Sequence, residues 1–210
     1  QYPGGSAGSY AVPNSVTNIW HGAFWGCTSL TGVTIPESVT RTMGDAFAGC
    51  TSLSRVTILN GLARIEEGTF YGCTNLISVV IPESVTSIGG GAFNSCTSLV
   101  GLVIPQGVTQ IGDGAFAGCA SLTAVTIPDG VTRIEDAAFT HCIGLNSIMI
   151  PDSVGSIGQR AFENCGSLKG ITIPDGVTLI EGCAFHGCTS LTTFVIPERI
   201  PWIASCVFSG

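Results

Sequence analysis

The sequence predicts a solenoid of nine 23-residue coils, with a parallel β-sheet on one face and turns or short 3₁₀ segments on the other. Three observations predict it. Cys27, Cys50, Cys73, Cys96, Cys119, Cys142, Cys165 and Cys188 follow one another at intervals of 23 residues. With Cys as position 1, position 4 is Leu (Leu30 to Leu191) and position 9 is Ile (Ile35 to Ile196) in those same coils. Position 21 is Phe throughout, from Phe24 to Phe208. Self-similarity at a fixed period marks a repeat architecture, in which coils stack to share one core. No insertion disturbs the period. We therefore expect a single domain over residues 4–210, with coils starting at 4, 27, 50, 73, 96, 119, 142, 165 and 188, and residues 1–3 as an overhang.

Each element follows from its residues. Around Val33-Thr34-Ile35, apolar residues alternate with small ones, the period-2 pattern of a strand. Pro36 has no N–H to give to a ladder and ends the strand. Glu37-Ser38, or Asp129-Gly130 in a later coil, supplies a turn. Ile65, Ile88 and Ile111 at position 16 join Ala and Phe at positions 20 and 21 as a second inward group. That stretch is too short and Gly-rich for a full helix, so turns or a short 3₁₀ piece are expected.

Composition narrows the function. The chain is 45% hydrophobic and only 10% charged, with a net charge of −7. Nucleic-acid binding needs a basic stripe, which is missing. The apolar runs are short and soon broken by Pro or Gly, so membrane insertion is not expected. The three histidines, His21, His141 and His186, lie in coils too distant to share a site, and no catalytic constellation is present. We expect no enzyme activity, no cofactor and no metal centre.

Nine in-phase copies of Leu-x-x-Val-x-Ile-Pro followed by Val-Thr-x-Ile-Gly-x-x-Ala-Phe-x-x-Cys, as in Leu99 to Cys119, resemble the BspA-like, or Treponema pallidum-type, leucine-rich repeats. The resemblance covers Pro13 to Gly210. It implies a leucine-rich-repeat solenoid, an extracellular (secreted or cell-surface) location, and a role in adhesion or in binding host or matrix partners. It supplies no catalytic residue. Thr42 in place of Ile, Leu59 in place of Pro and Thr69 in place of Ala make coils two and three the least regular.

Several columns are candidate sites. The Cys ladder at position 1 is expected to be a buried row of free thiols, because stacked equivalents about 4.8 Å apart suit a disulfide poorly. Cys183 and Cys206 both occupy position 19, one coil apart, and are a candidate disulfide. Position 11 is acidic in six coils (Glu37, Glu83, Asp129, Asp152, Asp175 and Glu198), which reads as turn chemistry, with a cation-bridged row as the alternative. Outward strand positions give a flat and almost uncharged surface from Thr34, Arg55, Thr57, Val80, Val103, Thr126, Met149, Thr172 and Val195, suited to an extracellular protein or a glycan.

The end coils carry no polar cap. Tyr2, Tyr10, Val12, Val16, Ile19, Trp20, Phe24 and Trp25 at one end, and Ile196, Ile200, Trp202, Ile203 and Phe208 at the other, are expected to form apolar cross-sections. The phase from Gly4 to Gly210 lets a second copy continue the repeat, so head-to-tail assembly into an open filament is the leading expectation. The alternative is a monomeric adhesin-like module. A start at Gln1 suits a secreted protein that has lost its signal peptide, and equally a portion excised from a longer array.

Overall fold

The computed structural model describes residues 8–209. Tyr2, the residues 1–3 overhang, Gly4 and Gly210 lie outside that range.

Two columns of short parallel strands run along the solenoid. The first, at positions 4–9, holds β1 (Gly8–Ala11), β3 (Leu30–Ile35), β5 (Arg55–Ile58), β7 (Ser78–Val80), β10 (Ala124–Thr126), β12 (Ser147–Met149), β14 (Gly170–Ile171) and β16 (Thr193–Phe194). Its ladder comes in three sections, β1-β3-β5-β7, β10-β12 and β14-β16, and a bridge from Ser78 to Gly101 extends the first. The second column holds β2 (Asn18–Ile19), β4 (Arg41–Thr42), β6 (Arg64–Ile65), β8 (Ser87–Ile88), β9 (Gln110–Ile111), β11 (Arg133–Ile134), β13 (Ser156–Ile157) and β15 (Leu179–Ile180). Partners such as Val33 with Val56, or Ile65 with Ile88, are one repeat apart, so equivalent side chains stack.

The other face carries the expected turns, and the second column adds short strands to them. Positions 15 and 16 form strands, and no 3₁₀ segment occurs among the described residues. The i to i+3 hydrogen bonds of a 3₁₀ helix are present, as in Ala23 N–H to Trp20, Trp25 N–H to Gly22 and Cys27 N–H to Phe24. Positions 19 and 23, however, have left-handed backbone, for example φ 61° at Gly22 and 65° at Gly26. A positive φ at the third residue of a turn is the requirement of type II geometry, and it divides the segment into successive tight turns. Gly fits position 19 in four coils, while Asp45, Ala137, Arg160, Cys183 and Cys206 hold the same conformation with side chains.

These turns make a ladder of their own. The N–H groups of Gly22, Phe24 and Gly26 donate to the carbonyls of Gly44, Ala46 and Ala48 in the next coil, and the same three bonds recur at Gly91, Phe93 and Ser95 and at Arg160, Phe162 and Asn164. Turn backbone that would otherwise need water is thereby satisfied between coils.

The core is built of files. Phe24, Phe47, Phe70, Phe93, Phe116, Phe139, Phe162, Phe185 and Phe208 stack with neighbouring ring centroids between 4.8 and 5.9 Å apart. Leu30 through Leu168 at position 4 and Val39 through Val177 at position 13 are buried beside them. The position-1 thiols have a polar role as well as an apolar one. Cys50, Cys73, Cys96, Cys119, Cys142, Cys165 and Cys188 each donate S–H to the Phe carbonyl 26 residues earlier, at 3.0–3.2 Å.

The three sequence departures have separate outcomes. Leu59, which has an N–H where other coils have Pro, donates it to the Ile35 carbonyl at 2.9 Å. Thr69 is buried and its hydroxyl donates to the Glu66 carbonyl at 2.7 Å. Thr42 is also buried, but its hydroxyl has no hydrogen-bond partner.

Candidate functional site

The first strand column places positions 7 and 9 inward and positions 6 and 8 outward, so β-sheet alternation itself exposes the predicted face. Thr34 and Thr57 are half-buried, while Arg55, Val80, Val103, Thr126, Met149, Thr172 and Val195 are exposed. Val80 and Val103 are 60% and 80% exposed, and Ile77 and Val100 at position 5 lie open beside them. Coils four and five thus present four aliphatic side chains at two outward columns. Near the other end of the face, Gly32 leaves a shallow dent of about 200 Å³ rimmed by Ser9 and Arg55.

A second concave feature lies on the flank made by the second strand column and its turns. A groove of about 720 Å³ runs from Asp45 and Tyr71 past Glu67, Ser87, Asn94 and Gln110 to Asp113 and Glu135, with Gly89, Gly90 and Gly91 in its lining. It adjoins a cleft of about 470 Å³ bounded by His21, Trp25, Asp45, Ala48 and Tyr71, the two sharing Asp45 and Tyr71. Column-by-column reading of the sequence misses this cleft. Its one signal there is position 22, where Trp25 and Tyr71 are the two aromatic residues outside the histidine of coil eight. Farther along the flank, Arg133 donates to Glu135 at 2.6 Å, Asp136 at 3.1 Å and Glu181 at 2.9 Å, tying coil six to coil eight.

All ten cysteines are free thiols. Burial pushes the Cys50 thiol up to about 12 and Cys188 up to about 11, and Cys96, Cys119 and Cys142 go further in the same direction, so the ladder is held protonated. Cys183 and Cys206 are brought together one coil apart, the first half-buried and the second exposed, near enough that each thiol bears on the other. Desolvation first, and then the neighbouring Cys206 thiol, raises the Cys183 thiol.

At the end coils the structure separates residues the sequence groups. Val12 and Ile19 are buried, and Tyr10, Val16 and Phe24 are partly buried, with the Tyr10 ring 5.7 Å from Phe24. Trp20 and Trp25 are exposed. At the other end Ile200 is half-buried, while Ile196, Trp202, Ile203 and Phe208 are exposed. The six position-11 carboxylates are all exposed. The His141 ring pairs with Asn164 and His186 with Ser209, far from His21 in the fold as in the chain. Among the described residues no helix is long and apolar enough to cross a membrane.

Comparison with known proteins agrees with this geometry. The BspA type leucine rich repeat region matches residues 4–123 and 109–210, in six copies. No curated protein sequence matches the chain. Among solved structures, the chain is similar to the leucine rich repeat protein of T. pallidum, with 29% identity, a TM-score of 0.72, and coverage of 96% of this chain and 86% of that one. A leucine-rich repeat protein from Bacteroides ovatus shares 28% identity at a TM-score of 0.70, over 99% of this chain and 65% of that one. A leucine rich cell surface protein from Faecalibacterium prausnitzii shares 34% identity at a TM-score of 0.66, over 91% of this chain and 48% of that one. The chain therefore spans less than two thirds of the latter two proteins.

Proposed function

The chain belongs to the BspA-type leucine-rich-repeat family, and on that premise we propose that it is a non-catalytic extracellular binding scaffold that takes a protein partner on its first strand column. The observation that carries this reading is the aliphatic patch of Ile77, Val80, Val100 and Val103, grouped on two adjacent coils of a face that carries Arg55 as its one charged side chain at positions 6 and 8. Burying such side chains in a core is easy for a solenoid, so their exposure on a flat strand face fits an interaction surface. The surface location draws support from the Faecalibacterium protein, which is described as a cell surface protein. It also fits the thiols, since a buried ladder held protonated withstands an oxidising exterior.

The test is direct binding of the purified chain to a panel of purified extracellular-matrix and cell-surface proteins by surface plasmon resonance. A partner bound by the native chain and lost in a Val80→Asp, Val103→Asp variant of unchanged thermal stability is the expected result. Binding that survives in this variant overturns the strand-face assignment.

Head-to-tail self-association is the second reading. Trp202, Ile203 and Phe208 are exposed on coil nine, and Trp20 and Trp25 are exposed on coil one. Joining such surfaces would make a heterologous, filament-forming contact. Light scattering and electron microscopy test it: a monomer at high micromolar concentration overturns it, and loss of assembly in a Phe208→Asp, Ile203→Asp variant supports it.

A further inference from the structure

We infer that the cleft between Trp25 and Tyr71 is a sugar-binding subsite, taking one pyranose ring of a neutral oligosaccharide whose further residues lie along the adjoining groove. This goes beyond the strand-face reading and does not depend on it, because the two surfaces share no residue.

The cleft has the chemistry a pyranose requires. Trp25 is 73% exposed and Tyr71 50% exposed, so both rings present open aromatic surface at the cleft. Both occupy position 22, two coils apart, with Ala48 between them. Two coil steps are about 10 Å, since neighbouring parallel strands lie about 4.8 Å apart. Ala48 between them is only 3% exposed, so a saturated ring would meet the open faces of the two aromatic rings and not a gap over Ala48. An added Cβ at Gly49 would meet Trp25 Nε1 at 4.0 Å, so the indole leans over the second coil. Aromatic rings stack on the apolar C–H face of a sugar, while its hydroxyls need planar polar partners.

Those partners stand at the same mouth. His21 Nδ1 and an Asp45 carboxylate oxygen are 4.0 Å apart, both open to solvent. Asp45 keeps a left-handed backbone, φ 55°, at a position that glycine fills in four other coils. Its Oδ1 lies over Gly68, in the space an added Cβ would take. The side chain is therefore held at the boundary between cleft and groove, at the expense of local strain. Beyond it the groove offers Glu67, Asn94, Gln110 and Asp113, all able to bond hydroxyls. The coil rise is close to the length of one pyranose residue, so successive sugars would meet successive coils. The carboxylates repel anionic glycans. They would also attract a basic peptide, but such a peptide has no need of the two open aromatic rings.

Isothermal titration calorimetry of the whole chain with maltohexaose, cellohexaose and chitohexaose tests this, with a heparin hexasaccharide and hexalysine as charged controls. At least one neutral hexasaccharide is expected to bind with a Kd of about 1 mM or tighter, more tightly than its disaccharide. Trp25→Ala and Tyr71→Ala should each weaken it about tenfold, whereas Trp25→Tyr should keep most of the affinity. Val103→Lys on the strand face should leave it unchanged, which separates this site from the protein-binding face. Absence of heat with all three neutral sugars overturns the inference, as does preference for hexalysine or heparin, or binding indifferent to Trp25 and Tyr71.

Discussion

The thiol of Cys96 donates to the carbonyl oxygen of Phe70 across 3.2 Å, joining the start of one coil to the turn of a coil two before it. The same Phe70 oxygen accepts the N–H of Cys73 at 3.1 Å. The thiol therefore supplies a second bond to an already paired carbonyl, and its contribution combines packing with a weak hydrogen bond. Cys96→Ala should cost about 2 kcal/mol. Cys96→Ser, which keeps a donor on a shorter bond and buries a more polar atom, should cost a comparable amount. Shifts in the urea midpoint measure both, and a neutral Cys96→Ala change would show that the thiol is only filler.

Alkaline pH should weaken the fold through the same ladder. The folded thiols titrate above the ordinary thiol range, at about 11 for Cys188 and about 12 for Cys50, because burial penalises the thiolate. Unfolded thiols ionise near the ordinary value of about 8.5. Protons are thus held more tightly in the folded state, and this contribution is fully present below the unfolded value and is lost as pH rises through the folded ones. Urea midpoints measured from pH 7 to 11 should be level at first and fall above about pH 9. A Cys50→Ala, Cys188→Ala variant should show a shallower fall, and an identical slope would remove the ladder as the cause.

Thr42 buries a hydroxyl with no partner at the position where the other coils have Ile. Thr42→Ile removes the unpaired group and restores the file, and should stabilise the chain by about 1–2 kcal/mol. Thermal denaturation reads the gain. Thr69→Ala, which deletes a satisfied hydroxyl, should give no comparable increase.

Asp45 should show a trade between stability and binding. Asp45→Gly relieves a left-handed side-chain-bearing residue and should raise stability by about 1 kcal/mol. The same change removes a carboxylate from the Trp25 cleft and should weaken neutral-sugar binding there. Denaturation and calorimetry on one variant check the two signs together.

Cys183 and Cys206 are expected to bridge on oxidation. Treatment with oxidised glutathione, followed by peptide mapping without reductant, should recover them as one linked peptide while the ladder thiols stay free. Closing a 23-residue loop should add about 3 kcal/mol to the stability of the final coil. Recovery of both as free thiols after exposure would exclude the bridge.

The repeat makes the core legible in the sequence. Phe47, Leu53, Val56 and Ile65 lie where their column predicts, because a residue recurring every 23 positions must meet its own copies in a stack. The second strand column is not legible. A two-residue strand such as Arg64–Ile65 is too short to show a period, and Ile at position 16 satisfies a turn, a 3₁₀ piece or a strand equally well. The left-handed columns are half visible, since Gly22, Gly68, Gly91 and Gly114 announce position 19 while Asp45 and Arg160 obscure it. Spacing alone shows the Cys ladder as apolar, because burial follows from the repeat, whereas a donor bond 26 residues back depends on the turn geometry. Trp25 groups with the end coil by its place in the chain, and only the fold sets it in one cleft with Tyr71.

The turn ladder gives the solenoid a direction. At positions 19, 21 and 23 the N–H groups aim towards the following coil, from Gly22, Phe24 and Gly26 through to Cys183, Phe185 and Gly187. Peptide dipoles of about 3.5 D aligned head to tail add along a file. Three such files run side by side on this flank, with the positive pole towards the C-terminal coils. A helix keeps its field along one axis; here it is spread over a broad exposed wall. The second strand column beside these files also donates the other way, as in Met43 N–H to Ile19 and Gly89 N–H to Ile65, so the polarity belongs to the strip of turns and not to the flank as a whole.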